Sequence, residues 1–278
     1  MKILVTGANG YIGQGITKTL LDMGHEIIAT DFNVDNIDER ATKIACNLFD
    51  VENPYQFFRN PDCLLHLAWR DGFSHYSDSH INDLANHYKF ISKFSESEIK
   101  TIVVMGSMHE IGFYEGSINE NTPCHPTTPY GIAKNALREL VFMLSQKHKF
   151  KYQWLRGYYI VGNSEYGSSI FSKITHAAKK GDTSFPFTTG QNQYDFIDYD
   201  QFCYQVSCCI TQDKINGIIN ICSGRPEKLA DRVERFIKDN GYSIRLQYGQ
   251  FPDRDYDSKA IWGDCSKINK IVNEQRKG

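Results

Sequence analysis

The chain has 278 residues, of which 41% are hydrophobic and 23% charged, and its formal net charge is −2. This composition suits a globular α/β protein with a buried core, and the near-neutral charge excludes a basic surface for nucleic acid or an anionic membrane. Eight cysteines without C-x-x-C spacing and nine histidines without metal-ligand spacing predict reduced thiols and no metal site. No apolar run approaches the ~20 residues that span a bilayer, and a strand at the N-terminus leaves no room for a signal peptide, so we expect a cytoplasmic protein.

Strands and helices alternate through residues 1–160. Apolar runs predict strands at 2–6, 26–30, 44–46, 63–67, 101–105 and 152–157. Apolar residues at helical spacing predict helices at 11–24, 81–96 and 130–148, with a short helix around Tyr55. Beyond Gly162 we expect helices at 170–180, 202–212 and 227–240 and strands at 217–221 and 243–248. Because the apolar runs are continuous, the strands should be buried on both faces, which is typical of a parallel, doubly wound sheet.

A glycine-rich turn, Gly7-Ala8-Asn9-Gly10-Tyr11-Ile12-Gly13, joins the first strand to the first helix. Glycines allow a tight turn and a close approach of the backbone, and a helix N-terminus offers free N–H groups, so the turn predicts a site for a dinucleotide pyrophosphate. An ordinary strand-to-helix turn would show the same spacing. Asp31 closes the second strand, where a carboxylate accepts hydrogen bonds from a ribose 2′-OH and repels a 2′-phosphate. This favours NAD(H), although a solvated turn residue remains the alternative for Asp31, and Asn33 or Arg40 leaves NADP(H) possible.

A second signal lies at the start of the helix predicted at 130–148. Tyr130 and Lys134 stand one turn apart on the same face, and a phenol beside a fixed cation is a usable proton donor or acceptor near neutral pH. Upstream, Gly106 and Ser107 follow the apolar run 101–105, which places Ser107 at the edge where open α/β sheets bind ligands. A simple strand-end hydroxyl is the alternative interpretation of Ser107. With the glycine-rich turn, these residues indicate hydride transfer at a carbonyl or alcohol carbon.

Further motifs follow in order along the chain. They are Asp31 after the second strand, Cys63–Ala68 ("HLA"), Leu155–Gly162 ("LRxFNxxG"), Tyr194–Asp200 ("RDFIxVxD"), Ile219–Gly224 ("YNxGSG") and Asp264–Lys267 ("ADxSK"). Over nearly its whole length the sequence resembles the short-chain dehydrogenase/reductase superfamily, in its extended, nucleotide-sugar-modifying branch. The resemblance implies a Rossmann-type sheet with a smaller C-terminal substrate-binding lobe. We expect a dinucleotide-binding domain at 1–162, with a return segment at about 191–222, and a substrate-binding lobe built from 163–190 and 223–278.

The resemblance assigns roles to three residues of the reaction centre. Tyr130 would give a proton to the alkoxide as hydride arrives, Lys134 would lower the phenol pKa and hold the nicotinamide ribose, and Ser107 would donate a hydrogen bond to the substrate oxygen.

Four further cofactor contacts follow from the resemblance. Asn47 and Leu48 correspond to a pair that surrounds the adenine, and Leu67 and Ala68 to the end of a strand beside the cofactor.

The residues after Ser107 distinguish between the chemistries of this branch. Sugar 4,6-dehydratases have an Asp-Glu pair directly after the catalytic hydroxyl, where this chain has Met108 and His109, and methionine cannot transfer a proton. We therefore disfavour a dehydratase. His109 is either a second acid or substrate ligand, or a packed histidine, and we expect Glu110 to be structural.

The substrate lobe should contain a cation for a diphosphate. Arg254 matches an arginine that clamps the nucleotide diphosphate in this family, and a surface salt bridge is its alternative. The family arginine before "DF" is Tyr194 here, and the family asparagine after "LR" is Tyr159, a second expected substrate contact. Both departures leave the nucleotide and the sugar open.

The combined prediction is an NAD(P)-dependent oxidoreductase that reduces a nucleotide-linked 4-keto-6-deoxy sugar at C4. The alternatives are a nucleotide-sugar 4-epimerase with tightly bound NAD, and a non-catalytic dinucleotide-binding regulator. The helices at 81–96 and 130–148 resemble the dimer helices of the family, so we expect a homodimer.

Overall fold

The predicted parallel sheet is the centre of the protein, whose computed structural model describes residues 1–162, 169–253 and 258–277. In chain order, the strands are β1 (Lys2–Thr6), β2 (Glu26–Asp31), β3 (Thr42–Ala45), β4 (Cys63–His66), β5 (Thr101–Ser107), β6 (Gly116–Ile118), β7 (Lys151–Gly157), β8 (Tyr159–Val161), β9 (Ser184–Pro186), β10 (Gln193–Asp198), β11 (Gly217–Ile221), β12 (Pro226–Lys228), β13 (Arg245–Gln247) and β14 (Ala260–Gly263). Seven of them form one sheet in the order β11-β7-β5-β4-β1-β2-β3, and every pair is parallel. The Rossmann-type fold is confirmed.

Helices lie on both faces of this sheet and against the smaller lobe. They are α1 (Tyr11–Asp22), α2 (Pro54–Phe57), α3 (Ser79–Ser95), α4 (Pro129–His148), α5 (Ile170–Lys180), α6 (Tyr199–Thr211), α7 (Leu229–Asp239) and α8 (Ser266–Gln275), with short 3-10 helices at Leu48–Asp50 and Met108–Glu110. Successive strand residues point to opposite faces, so Ile3 and Val5 pack in the core under α1 and α6, whereas Leu4 packs in the core under α3 and α4. Burial on both faces explains why these strands read as unbroken apolar runs.

A smaller sheet forms the second lobe. Its order is β12-β10-β14-β6, and β8 also pairs with β10. The sheets do not follow the residue ranges expected for the two domains, because β6 and β8 come from residues before 162 and yet pair with strands of the smaller sheet. The reason is that β10, although it lies within the expected return segment, belongs to the smaller sheet and pairs with β8 there. Only α6 and β11 of that segment pack with the main sheet. The division into two domains stays a prediction.

The start of α4 is determined by its sequence. The Thr128 side chain accepts a hydrogen bond from the Gly131 N–H, and Pro129 occupies the first helical position, where a missing N–H is tolerated. This cap places Tyr130 in the first turn of the helix. Within the described ranges, no helix has the length and apolar character needed to cross a membrane.

Candidate active site

The glycine-rich turn after β1 lies against the end of β4. Gly7 has a φ of +68°, and a Cβ atom added there would lie 2.7 Å from the Ala68 backbone nitrogen. A Cβ atom on Gly13 would lie 2.2 Å from the Gly7 carbonyl oxygen, so α1 can begin this close to the strand only without a side chain. Gly10 precedes the first turn of α1, and no side chain of the described residues caps it. Close backbone approach and an open helix N-terminus fit the pyrophosphate of a dinucleotide.

Asp31 is joined to this turn. Its carboxylate accepts hydrogen bonds from the Asn9 N–H (3.1 Å) and the Phe32 N–H (2.8 Å) at the end of β2. The neighbouring Arg40 pairs with Asp22 at 2.8 Å and Asp38 at 2.7 Å. The cation considered for a 2′-phosphate is therefore already held by two carboxylates.

The two residues expected at the adenine lie further along the same sheet edge. The Asn47 side chain accepts from the Phe49 N–H (3.2 Å) and donates to Asp50 (2.9 Å), which caps the first 3-10 helix. Leu48 is buried in the core, as is Leu67, whose N–H donates to the Thr6 carbonyl. Their contacts with a cofactor stay predictions.

Ser107, Tyr130 and Lys134 meet at the carboxyl end of β5. The Ser107 side chain lies close enough to the Tyr130 phenol to lower its pKa through a hydrogen bond. The Lys134 Nζ donates to the Met105 carbonyl at 2.9 Å and lies 6.0 Å from the Tyr130 ring centre. Residues from β5 and α4 thus form one site, with the same three side chains as the sequence analysis singled out.

The electrostatics of this site differ from the expectation. Burial raises the pKa of Tyr130 to about 12, and the hydrogen bond with Ser107 offsets only part of this rise. Burial lowers the pKa of Lys134 to about 7, against a smaller opposite effect of Glu110. The expected lowering of the phenol pKa by Lys134 is therefore not found in the protein's own groups. The physical reason is that both side chains are desolvated, which disfavours phenolate and ammonium alike.

Aromatic side chains that the sequence analysis missed surround the site. The Trp69 ring lies 3.9 Å from the Lys134 Nζ, a cation–π geometry. The His75 ring stacks on the Tyr130 ring, with centres 5.0 Å apart and planes inclined by 7°, and its carbonyl accepts the Tyr130 N–H. Trp69 donates to His80 at 3.0 Å, which ties this segment to α3. The only sequence signal was the position of Trp69 directly after the "HLA" motif.

A buried histidine pair supports Trp69 from behind. His66 interacts with Thr6 at 2.9 Å and with His87 at 2.9 Å, and the His87 ring stacks 4.5 Å from Trp69. Burial lowers the pKa of His66 to about 3 and that of His87 to about 2. Both imidazoles are thus neutral at physiological pH, which suits their place beside a buried lysine.

The expected substrate contacts fall into two groups. The His109 ring lies 4.2 Å from the His75 ring and 6.0 Å from the Tyr130 ring, so His109 borders the reaction centre, and Tyr159 reaches it only through the His109 ring, 6.3 Å away. Arg254 lies outside the described residues, and its role stays a prediction.

A cleft of about 940 Å³ separates the glycine-rich turn from the smaller lobe. Its wall contains Asn9, Gly10 and Tyr11 on one side and Arg232 of α7, paired with Asp198, on the other. Ser107, Tyr130 and Lys134 are not part of this wall. The glycine-rich turn, which suits the phosphates of a dinucleotide, thus forms one part of the site, and the reaction centre forms another.

The lowered pKa of Lys134 predicts a pH-dependent stability. Between about pH 7 and the ordinary lysine pKa of 10.5, the unfolded chain binds a proton here that the folded protein does not, so the free energy of unfolding rises with pH. Lys134→Met removes this contribution. Relative to that variant, the wild type should gain about 2 kcal/mol between about pH 7 and about pH 9, because a full proton difference is worth about 1.4 kcal/mol per pH unit.

Urea denaturation of the cofactor-free protein at both pH values measures this difference. Lys147 is exposed on the same helix, so Lys147→Met is a matched control that should show the same difference at both values. A pH-independent difference between the wild type and Lys134→Met would contradict a buried amine that is largely neutral.

Comparison with known proteins gives the family of this chain. Residues 3–222 match the sequence profile described as the NAD dependent epimerase/dehydratase family. The chain is 41% identical over 269 residues to dTDP-6-deoxy-L-talose 4-dehydrogenase (NAD(+)) of Aggregatibacter actinomycetemcomitans, with 95% of this chain and 99% of that protein covered.

Solved structures share the fold. The UDP-N-acetylglucosamine 4-epimerase of Methanobrevibacter ruminantium M1, in complex with UDP-N-acetylmuramic acid, has a TM-score of 0.84 at 21% identity and covers 97% of this chain and 91% of its own. The UDP-glucuronic acid 4-epimerase of Bacillus cereus, in complex with UDP-glucuronic acid and NAD, has a TM-score of 0.83 at 19% identity and covers 98% and 93%. The chain therefore belongs to the NAD dependent epimerase/dehydratase family, within the extended short-chain dehydrogenases/reductases, and is an enzyme of that type.

Proposed function

We propose that this enzyme transfers a hydride between NAD(H) and C4 of a nucleotide-linked 6-deoxyhexose, and that it reduces the 4-keto sugar. The observation that carries the proposal is the joined Ser107–Tyr130–Lys134 set, with no acid-base pair directly after Ser107. The relative with 41% identity is named as a 4-dehydrogenase of a dTDP-6-deoxy sugar, the same exchange read in the oxidative direction.

The protonation of Tyr130 supports the reductive direction. The nicotinamide supplies the hydride to C4, and the oxygen at C4 then needs one proton. A phenol with a pKa of about 12 is protonated at neutral pH and can give this proton. The Ser107 hydroxyl holds the same oxygen, and the Lys134 amine orients the cofactor ribose beside it.

The surroundings of Ser107 argue against elimination of water. Met108 is buried, and the carboxylate of Glu110 is fully buried and accepts hydrogen bonds from the Ser107 N–H and from Trp154. Neither can move a proton on a sugar. The second candidate is a 4-epimerase, which would use the same three residues. The similarity to a UDP-glucose 4-epimerase of Lactobacillus helveticus, 24% identical over 306 residues, supports this candidate. The intact proton donor argues against a silent regulator.

A panel of nucleotide-linked 4-keto-6-deoxy sugars, assayed by loss of reduced-nicotinamide absorbance, tests the function. Tyr130→Phe removes only the proton donor, so kcat should fall about 100-fold or more while cofactor affinity survives. Tyr152→Phe is the matched control, because its buried hydroxyl has no hydrogen-bond partner among the described residues.

Two results would contradict the proposal. One is near-wild-type turnover by Tyr130→Phe. The other is a protein that purifies with dinucleotide, released on denaturation, and interconverts two C4 epimers without consuming NADH, which would identify an epimerase.

We further propose that NAD(H) is the preferred cofactor. Asp31 sits at the turn that would hold the pyrophosphate, and both Asn33 and Arg40 are occupied by neighbouring carboxylates, at 2.8 Å from Asp35 and 2.7 Å from Asp38 respectively. A 2′-phosphate at this point would meet negative charge without a ready cation.

Asp31→Ala should weaken NAD(H) binding and relieve the repulsion of NADP(H). Dissociation constants for both cofactors, measured by fluorescence titration, compare this variant with the wild type and with Asp35→Ala, an exposed acid of the same loop. A wild type that prefers NADPH would overturn the assignment of Asp31.

A homodimer through α3 and α4 is also proposed. These helices expose a set of large apolar side chains, each 45–48% accessible: Ile81, Ile132, Phe142 and Met143. Solvent-exposed apolar surface of this kind on two packed helices favours a partner of the same shape.

Light scattering at micromolar concentration measures the assembly. The wild type should be a dimer, and Met143→Asp should shift it toward the monomer because a charge would be buried at the interface. Phe57→Asp is the control, since Phe57 is 48% exposed on α2. A monomeric wild type would refute the dimer.

A further inference from the structure

A carboxylate without any solvent exposure lies directly behind Ser107. Glu110 ends the short 3-10 helix that follows β5, and its side chain is 0% exposed. A buried charge is costly unless several donors satisfy it, and it marks a place where the surrounding groups are held in one arrangement.

The hydrogen-bond donors and the guanidinium groups around the Glu110 carboxylate come from three separate elements. The Ser107 N–H donates to one oxygen at 2.6 Å, and the Trp154 indole N–H lies 2.8 and 2.9 Å from the two oxygens. The guanidinium groups of Arg156 and Arg138 lie 3.6 and 3.9 Å away. The carboxylate thus joins β5, β7 and α4.

Each of these elements carries or borders the reaction centre. Ser107 itself supplies one donor, and Arg138 lies one turn beyond Lys134 on α4. Gly106, the neighbour of Ser107, leaves the room that the carboxylate needs, because a Cβ atom there would lie 2.5 Å from its oxygen and 2.0 Å from the Trp154 nitrogen.

The pairing also orients the Ser107 hydroxyl. Its oxygen accepts the His109 N–H at 3.3 Å while the Ser107 N–H is held by Glu110, so both sides of the capping box are made. The Ser107 side chain also lies close enough to the Tyr130 phenol to lower its pKa, so the capping box holds a hydroxyl that borders the proton donor. The negative charge of Glu110 additionally raises the pKa of both Tyr130 and Lys134.

We propose that Glu110 is a positioning residue that holds the Ser107 hydroxyl against Tyr130 and the substrate oxygen. It acts through Ser107 and does not exchange protons with the sugar. This inference rests on the proposed function for the roles of Ser107 and Tyr130.

A double-mutant cycle tests the inference with four proteins: wild type, Glu110→Gln, Ser107→Ala and the double variant. Glu110→Gln keeps the shape but turns amide hydrogens toward the Trp154 donor, so kcat should fall about 10- to 100-fold, the range for a lost or misplaced hydrogen-bond donor. KM and the dissociation constant for NADH should stay within about threefold. In the Ser107→Ala background, the same change should cost less than about threefold, because the hydroxyl it positions is gone.

Controls separate positioning from general destabilisation. Glu139→Gln removes an exposed acid that pairs with Arg138 at 2.6 Å, and it should leave turnover unchanged. Trp154→Phe deletes one donor and keeps the charge, so it should show a smaller kcat loss with the same coupling to Ser107→Ala. If circular dichroism shows that Glu110→Gln is unfolded, Trp154→Phe takes its place in the cycle. Fully additive losses, or wild-type kcat in Glu110→Gln, would overturn the proposal.

A crystal structure of the folded variant gives a result that needs no substrate. A Ser107 hydroxyl that has left Tyr130 supports the proposal, and one that keeps its place overturns it. A wild type that turns over no nucleotide sugar would contradict the proposed function instead, and the position of Ser107 in the variant would still decide the role of Glu110.

Discussion

The close approach of the turn after β1 to the end of β4 is the constraint on which the site depends. The backbones of Gly7 and Ala68 come so near that no side chain fits between them. In this sheet order β1 and β4 are neighbours at the point where the chain changes direction across the sheet, and ligands of open α/β sheets bind at such a point. The contact therefore aligns the start of α1 with the ends of β4 and β5, where the reaction centre lies.

The reaction centre contains two desolvated groups, the acidic Tyr130 phenol and the basic Lys134 amine. Moving the pKa of Lys134 from 10.5 to about 7 corresponds to roughly 5 kcal/mol against the ammonium, a large cost for a domain of ordinary stability. Trp69 and the Met105 carbonyl offset part of this cost, since one offers a ring face and the other an acceptor. The same desolvation raises the pKa of Tyr130 and keeps its phenol protonated at neutral pH.

A buried carboxylate, that of Glu110, lies on the interior side of the reaction centre. Glu110 lies on the interior side of Ser107, and the guanidinium groups of Arg138 and Arg156 lie 3.9 and 3.6 Å from its carboxylate. Ser107 and Trp154 hold the carboxylate by hydrogen bonds, so a movement of either would leave a buried charge less satisfied. The other side of Tyr130, by contrast, is bordered by the rings of His75 and His109.

The sequence by itself determined the parallel sheet, the glycine-rich turn, Asp31 and the Ser107–Tyr130–Lys134 set. These features are encoded locally: strand periodicity, glycine spacing and a one-turn separation on a capped helix survive any packing of the rest. It also identified β11 and the helices α5, α6 and α7, whereas α8 was not predicted as a helix, and β6, β9 and β12 were too short, at three residues each, to leave a pattern.

Only the tertiary structure decided which groups surround these residues and how they titrate. His75 reaches Tyr130 from a loop without periodicity, and Glu110 meets Trp154 across 44 residues of chain. The sequence placed Lys134 beside Tyr130 and predicted a lowered phenol pKa, but depth of burial reversed that result. Desolvation depends on what every packed neighbour excludes, and no spacing along one segment contains that information.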